Sequence, residues 1–421
     1  MAEVGQLVVV GYSVPMARAL EAFRAPGSVL FVDEPWVAEA RKAHEFLADL
    51  DSCVGMLEWE FLHPDAADEL FLSGRLTEPV SAVLPGVEYA TVFAARLAER
   101  LRLANAGLGA AQVMRDKARL RRVSAAAGVP NPVSRQVSSA EDVVALLTEL
   151  DGPVIVKPSG RQAAVGVTRA DTPAEAGAAY RFAAEAEENY GPQDRVDSDV
   201  LAEQFIDGSE FSVEMLVAGG RPLFANVTEK ALFDGPHPVE RGHLLPYDAD
   251  PDGAAELVEL TGQVLAATDF DTGFVHCEWI RSETGPYLVE CAGRVPGDGI
   301  TVMLRLGWGC DLMDLYVQLL EGRLDPAAVP LKPVQYAAVA FATGTPGTVT
   351  AVSGAEQAAE LPGVVSAMAM VAPGATVVPL ANSWSRVAMV TAVGDTPDAA
   401  RANADAALAA IEISTEPPAT G

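Results

Sequence analysis

Two short apolar segments, each carrying one carboxylate, constrain this chain more than any other stretch: "GFVHCEWIRSETGPYLVECAGR" at 273–294. The segments flanking "SETGP" predict a β-hairpin with a five-residue, glycine-bearing loop. A symmetric register pairs Arg281 with Tyr287 and brings Glu278 opposite Glu290. Side chains opposed across an antiparallel pair lie roughly 5 Å apart, where like charges repel. Alternation puts His276, Glu278 and Ile280 on one face and Cys277 with Trp279 on the other, while Leu288 shares a face with Glu290. Facing carboxylates on a half-apolar sheet repel unless a cation lies between them. Oxygen ligands so placed, with room for phosphate oxygens and water, suit Mg²⁺ or Mn²⁺. The bland reading is two glutamates on a solvated sheet face. Arg294, four residues beyond Glu290, is placed to neutralise the pair or grip an anionic intermediate.

Length bounds the rest. A chain of 421 residues holds two or three domains, each with its own core. A formal charge of −29 argues against nucleic acid or an anionic membrane surface as partner. Within that acidic background "RDKARLRR" at 115–122 packs five basic residues into eight positions, as a site for an anion or as a solvated helix face. Four cysteines without a CxxC pair suggest neither a disulfide framework nor zinc, so reduced thiols in the cytoplasm are expected. The first residues, "MAEVGQLVVVGYS", lack the pattern of a signal peptide, and no apolar run reaches membrane-spanning length.

Along the chain, "QLVVVG", the helical "ARALEAF" and "VLFVDEP" begin a doubly wound α/β layer over 1–108, closed by the amphipathic helix "TVFAARLAERLRLA". No GxGxxG follows the first strand, so dinucleotide binding is unsupported. A second unit, 109–202, starts with a helix stopping at Gly128 before Pro130 and Pro132. It continues through "GPVIVKPSGRQAAVGV" to the helix "TPAEAGAAYRFAAEAEENY", with Thr172 as N-cap and Pro173 at its first position. Strands joined by "DGS" and "GG", the opening hairpin and the helical "DLMDLYVQLLEG" fill 203–331. A β-rich unit, 332–421, ends in an alanine-rich helix capped by Thr396 and Pro397. It shows no cluster of titratable residues and reads as structural or substrate-shaping.

Lys157 closes an apolar strand, and the following loop supplies Gly160 and Gly166; lysine plus free N–H groups suit a triphosphate. Alone, a strand-end lysine is most often a surface group, and the loop lacks the GxxxxGK[ST] order of a P-loop. In combination the motifs are specific. Lys117 in "RDKARLRRVSAAAGVPNP", Lys157 in "VIVKP", "SGRQAAVGV", "EQFIDGSEFSVE" and "HCEW…YLVECAGR" resemble the ATP-grasp superfamily in order and spacing over 110–320. The resemblance implies an N-terminal α/β domain, a small mobile lid over 158–167 and its flanks, and a central antiparallel-sheet domain with ATP between two sheets. It implies that Lys117 and Lys157 contact the phosphates, together with Gly160, Ala163 and Ala164 of the lid loop. The backbone of Gln204, Phe205 and Ile206 would meet the adenine, Glu203 its amino group and Glu210 the ribose, while Glu278 and Glu290 would hold Mg²⁺ ions. Ala292 stands where many members place a metal-binding asparagine, and the two alanines replace hydroxyl residues common in the lid.

Within the superfamily, "PVERGHLLPYD" is similar to the segment that L-amino acid ligases place before the metal hairpin, with Glu240 and His243 near nucleotide and substrates. The tail "GTPGTVTAVSGAEQAAELPGVV" and "PLANSWSRVAMVTAVGDTPDAA" also resembles that group. The expectation is an ATP-dependent carboxylate–amine ligase acting on small molecules, amino acids in both roles, through an acylphosphate held by Arg294, with a homodimer implied by the resemblance. His243 and His276 are the candidate bases. The rivals are a biotin-carboxylase-like or nucleotide-biosynthetic enzyme activating bicarbonate or formate, and an ATP-binding protein without catalysis. His44, His63 and His237 have no motif around them, and Cys277 and Cys291 read as core thiols.

Overall fold

A computed structural model of the protein describes residues 5–188 and 199–417. Its first layer is a parallel sheet of β1 (Gln6–Val10), β2 (Val29–Asp33), β3 (Cys53–Glu58) and β4 (Val80–Pro85), in the order β3-β2-β1-β4. Alternate residues of β1 feed two separate cores. Leu7 and Val9 pack with Leu20 of one helix layer, and Val8 and Val10 pack with Phe93 and Leu97 of the other. A strand covered on both faces reads as an unbroken apolar run, which is why "LVVV" shows no alternation.

The second sheet is antiparallel: β5 (Ser134–Val137), β6 (Val154–Pro158), β7 (Thr168–Ala170) and β8 (Val200–Gln204), in the order β5-β8-β6-β7. Helices Ala140–Leu150 and Ala176–Ala184 back it through Val143, Leu146 and Ala179. The second helix starts later than the Thr172 cap predicts. Glu175 folds back instead, accepting from the Asp171 and Thr172 N–H groups at 2.7 and 3.1 Å. The helix also ends at Ala184, short of the expected Tyr190: residues 185–188 are not helical, and 189–190 lie outside the described residues.

The remaining strands are β9 (Ser209–Ala218), β10 (Arg221–Leu232), β11 (Glu240–Leu245), β12 (Gly273–Ser282), β13 (Gly285–Ala292), β14 (Tyr336–Ala342), β15 (Gly347–Ser353), β16 (Val364–Ala369), β17 (Thr376–Val377), β18 (Ala388–Gly394) and β19 (Glu412–Glu416). Eight of them form one antiparallel sheet ordered β13-β12-β9-β10-β11-β14-β18-β16, so the tail extends the central sheet; β15, β17 and β19 form a small separate one. Beyond the alanine-rich helix Pro397–Ala409, expected as the last element, the described residues add a further strand, β19. "DGS" joins strands of different sheets rather than a hairpin. At Gly208 a Cβ would sit 2.2 Å from the Arg281 carbonyl oxygen, so only glycine lets β8 cross to β9 there.

One face of the large sheet packs Cys277, Trp279, Leu288 and Cys291 against the helix Pro251–Thr268. On the opposite face Leu216, Phe274 and Leu245 join helices Ile300–Trp308 and Leu312–Leu320 and the N-terminal Leu7 and Val9 in one core. Farther along, that same face turns polar, with Glu214, Ser212 and Glu210 on β9 and His276 and Glu278 on β12.

The hairpin keeps Glu278 opposite Glu290, but by a different route. The turn is only Glu283–Thr284, Arg281 faces Pro286, Ile280 faces Tyr287, and the register shifts between Glu278 and Trp279, leaving Val289 as the extra residue. Because this bulge inserts one residue, Leu288 enters the core while Glu290 stays with Glu278, correcting the shared face expected for Leu288 and Glu290. Trp279 is fully buried and its indole N–H donates to Thr261 Oγ1 at 2.9 Å. Trp279→Ala should cost roughly 3–5 kcal/mol of stability, read as a lower midpoint in thermal or urea unfolding.

Candidate active site

A cavity of about 580 Å³ lies between the lid sheet and the polar face of the large sheet. Its walls include Lys117, Lys157, Ala163, Ala164, Glu203, Gln204, Phe205, Ile206, Glu210, Lys230, Glu240, Glu278 and Glu290. Strand alternation explains the convergence. Glu210 and Lys230 are register partners on β9 and β10, Glu210 also faces Ile280 of β12, and Glu278 lies one pair farther along the sheet.

Each hairpin carboxylate has its own lysine. Lys230 Nζ lies 2.5 Å from Glu278 Oε1 and 3.3 Å from Glu240 Oε1, while Lys117 Nζ lies 2.8 Å from Glu290 Oε2. Burial alone would push Glu278 up, but Lys230 and His276 hold it well below the ordinary carboxylate range. Glu210 goes the other way: burial raises it to about 7, assisted by Glu278 and Glu240 and opposed by Lys230. Two carboxylates alone do not make a cage, and no cluster of three metal-ligating side chains occurs among the described residues. That donor set fits Mg²⁺ or Mn²⁺ arriving with phosphate oxygens and water as its other ligands, as such ions are usually bound. Ala292, facing His276 across the hairpin, supplies no donor.

Beneath Glu278 runs a buried network. Glu214, wholly buried, accepts from Ser212, Thr228, Asn226 and His276 Nδ1. His276 Nε2 lies 3.2 Å from Glu278. Burial disfavours its cation, yet the two carboxylates raise it to about 9. An imidazolium with both nitrogens committed has no lone pair to accept a proton, so His276 is removed as a candidate base.

Glu203 is the second hub. Arg121 grips it at 2.8 and 3.1 Å, Ser134 Oγ donates at 2.9 Å, and Lys157 Nζ lies at 2.6 Å. Burial pushes Glu203 up, and Arg121 and Lys157 overcome this to bring it to about 2. The basic run read as an anion site or solvated face thus divides. Arg121 is buried on Glu203, Lys117 meets Glu290, and Arg115 donates to the Gly160 carbonyl at 2.7 Å, while Arg119 stays exposed beside Asp116.

In the lid loop Ala163 and Ala164 both adopt left-handed backbone, φ 55° and 57°. Such strain persists only where surroundings enforce it. The Ser383 N–H donates to the Ala163 carbonyl at 3.0 Å, and the Ser383 hydroxyl donates to Glu240 at 2.9 Å. His237 accompanies the lid at its other end, 2.9 Å from the Val167 carbonyl, while His44 and His63 pair with surface glutamates. Arg294 lies outside the cavity's wall, with Nε 2.5 Å from Glu88 Oε2, in the turn Glu88–Ala90 that follows β4. His243 on β11 is buried beside Asp298.

Several of these partners carry no local sequence signal. Glu88 reaches Arg294, and Asp298 takes Arg386 of the tail as well as His243, all from far along the chain. Lys230 had one: a lysine mid-strand in "NVTEKALF", on the face it shares with Thr228.

The geometry has counterparts. A model of the ATP-grasp domain matches residues 150–302, and one described as L-amino acid ligase C-terminal domain 2 matches 340–416. The chain carries an ATP-grasp domain. A D-alanine--D-alanine ligase of Pseudomonas entomophila is 26% identical over 220 residues, 51% of this chain and 66% of that protein. The matches span roughly three fifths to two thirds of the curated relatives' own length. Among solved structures, an L-amino acid ligase from Bacillus licheniformis superposes with TM-score 0.79 at 20% identity, covering 98% of each chain. The biotin carboxylase domain of a Hydrogenobacter thermophilus 2-oxoglutarate carboxylase, in complex with MgADP and bicarbonate, superposes with TM-score 0.68 at 16% identity, covering 98% of this chain and 91% of that one. The fold of these neighbours is therefore shared along nearly the whole chain, tail included.

Removing the Glu203 carboxylate leaves Arg121 and Lys157 buried without their anion, so Glu203→Ala should lose about 3–5 kcal/mol of stability. Glu203 titrates lower folded than unfolded, so its contribution is present above pH 4.5 and lost as pH falls towards about 2. In acid unfolding, the gap between wild type and Glu203→Gln should accordingly narrow across that window.

Proposed function

We propose that the protein is an ATP-dependent carboxylate–amine ligase joining two amino acids through an acylphosphate. The observation that carries this reading is the opposed pair Glu278 and Glu290, each balanced by a lysine, on the wall of a cavity large enough for a nucleotide. Phosphoryl transfer needs charge neutralisation and positioning more than a side-chain nucleophile, and lysines, carboxylates and an arginine are the groups assembled here.

In this reading the backbone of Gln204, Phe205 and Ile206 receives the adenine and Glu210 the ribose. Lys117, Lys157, Gly160 and the Ala163–Ala164 turn face the triphosphate. Glu203, its oxygens engaged by Arg121, Ser134 and Lys157, is the counter-ion that fixes Lys157. Glu278 and Glu290 hold Mg²⁺ or Mn²⁺, whose chemistry is to offset the developing charge on the phosphates.

A substrate carboxylate oxygen attacks the γ-phosphorus; the new O–P bond forms as the bond to the bridging oxygen breaks, releasing ADP. The amine nitrogen then attacks the acyl carbon, the C–N bond forms, phosphate departs and the amine proton passes to a base. Arg294 holds the acylphosphate, with Glu88 fixing its guanidinium. The reading places the protein in the cytoplasm, where its cysteines stay reduced. No helix among the described residues is long and apolar enough to cross a membrane.

The shared architecture also admits bicarbonate or formate as the activated group, but the match of 340–416 to an L-amino acid ligase domain favours amino acids. ADP and phosphate release, screened over amino-acid pairs with mass detection of an amide, should give turnover with at least one pair. Turnover with bicarbonate or formate alone would overturn the assignment. Glu278→Gln should lower ATP turnover about 10²–10³-fold, the scale of a lost charge-stabilising group; unchanged turnover would remove its metal role.

A further inference from the structure

Two rows of side chains cross the polar face of the large sheet, each formed by register partners on β10, β9, β12 and β13. One runs Asn226, Glu214, His276 and Ala292; the next runs Thr228, Ser212, Glu278 and Glu290. Opposed side chains lie about 5 Å apart, so neighbours within a row can touch. The second row ends in the two carboxylates proposed to hold a divalent ion. The first contributes no ligand of its own: Ala292 ends it without a donor, and neither Glu214 nor His276 lines the cavity.

The first row is nonetheless hydrogen-bonded from end to end. Trp308, at the end of helix Ile300–Trp308, donates its indole N–H to Asn226 Oδ1 at 3.0 Å. An indole nitrogen only donates, so the amide is fixed with its oxygen towards Trp308 and its Nδ2 on Glu214 Oε2 at 2.8 Å. The Ser212 and Thr228 hydroxyls donate to Glu214 at 2.6 and 2.7 Å. His276 Nδ1 lies 3.0 Å from Glu214 Oε1, and its Nε2 lies 3.2 Å from Glu278 Oε1. Ionised carboxylates only accept, so both imidazole nitrogens carry protons. Glu214, Ser212 and Thr228 are wholly buried, and Asn226 is 2% exposed.

Charges are not needed to fill this space: a buried ion pair can often be replaced by apolar side chains of similar volume without loss of stability. What they supply is direction. His276 and Lys230 meet the same oxygen of Glu278, Oε1, so Oε2 carries neither contact. Lys230 is shared with Glu240, whereas His276 is held from behind by Glu214. His276 therefore still holds Glu278 if Lys230 leaves it for another anion. Its charge is matched by Glu214, so Glu278 keeps its own charge for a cation. We infer that Trp308, Asn226, Glu214 and His276 form a positioning relay that presets Glu278 for a divalent cation, offsetting the donor that Ala292 lacks. A side chain already fixed in place loses less conformational freedom on binding than a mobile one. Partners behind a metal ligand commonly set its orientation in this way. The inference rests on the reading of Glu278 as a metal ligand.

Mn²⁺ binding tests this on the full chain, with a non-hydrolysable ATP analogue at saturation and the free Mn²⁺ signal read by electron paramagnetic resonance. His276→Gln should weaken Mn²⁺ binding about 10–100-fold, the usual scale for losing a partner behind a metal ligand. Asn226→Leu, two contacts farther from the ion, should weaken it less. Affinity for the analogue without divalent ion should stay at the wild-type value in both. Unchanged Mn²⁺ affinity in His276→Gln overturns the inference. So does equal weakening of Mn²⁺ and metal-free nucleotide binding, the result expected of a merely structural tie. Should His276→Gln not fold, Thr228→Val replaces it, removing one Glu214 donor at similar volume; weaker Mn²⁺ binding supports the relay and unchanged binding ends it. Glu278→Gln separates the relay from the reading beneath it. If that variant loses Mn²⁺ while His276→Gln does not, the metal reading stands and the relay falls. If it binds Mn²⁺ as wild type does, the metal reading itself fails and takes the relay with it.

Discussion

Glu278 and Glu290 are forced together by the register of β12 and β13, on a half-buried face at the cavity's wall. Much of the surrounding structure answers that repulsion. Lys230 and Lys117 each take one carboxylate, His276 is drawn into a cationic form against Glu278, and Glu214 below it satisfies the other imidazole nitrogen. Such a pair would be destabilising if any cation were missing, and breaking a buried charge set by removing one partner typically costs several kcal/mol. The site is thus a balance of fixed opposite charges, stable as it stands and open to exchange when a divalent cation and phosphates offer the carboxylates and lysines alternative partners.

The fold supplies this balance from separate pieces. Lys117 comes from the helix that leads into the lid unit, Lys157 from its sheet, Lys230 and the two glutamates from the large sheet, and Arg294 reaches back to Glu88 of the N-terminal layer. The tail adds Ser383 against the lid and Arg386 against Asp298. A cavity walled by so many independent elements can tighten around a ligand through small movements of any one of them. Within the loop over 158–167, Val165 is buried, and the first of the two left-handed alanines accepts from the Ser383 N–H.

The ATP-grasp architecture was legible because its motifs are local. "VIVKP", "EQFIDGSE" and the carboxylate hairpin each fit within one strand pair, where alternation dictates which side chains share a face. Glu278 was placed opposite Glu290 correctly, although the actual turn is shorter and a bulge at Val289 makes up the difference; a bulge leaves no mark in an alternation pattern. The Thr172 and Pro173 signal marks a turn rather than the helix itself, which starts only at Ala176 after Glu175 has taken the Asp171 and Thr172 N–H groups. The least legible residues were those whose partners lie far off in sequence. Arg121 looked like part of a basic island until Glu203 met it, and neither Asp298 nor Arg386 has a neighbour that betrays the other.

Crystals grown with Mn²⁺ and a non-hydrolysable ATP analogue test the central claim most directly, since manganese reveals its own position by anomalous scattering. The account predicts anomalous peaks between the carboxylates of residues 278 and 290 and the phosphate oxygens, with Lys117 and Lys230 released from those carboxylates. A nucleotide bound with no peak at that pair, both glutamates still held by their lysines, would contradict it.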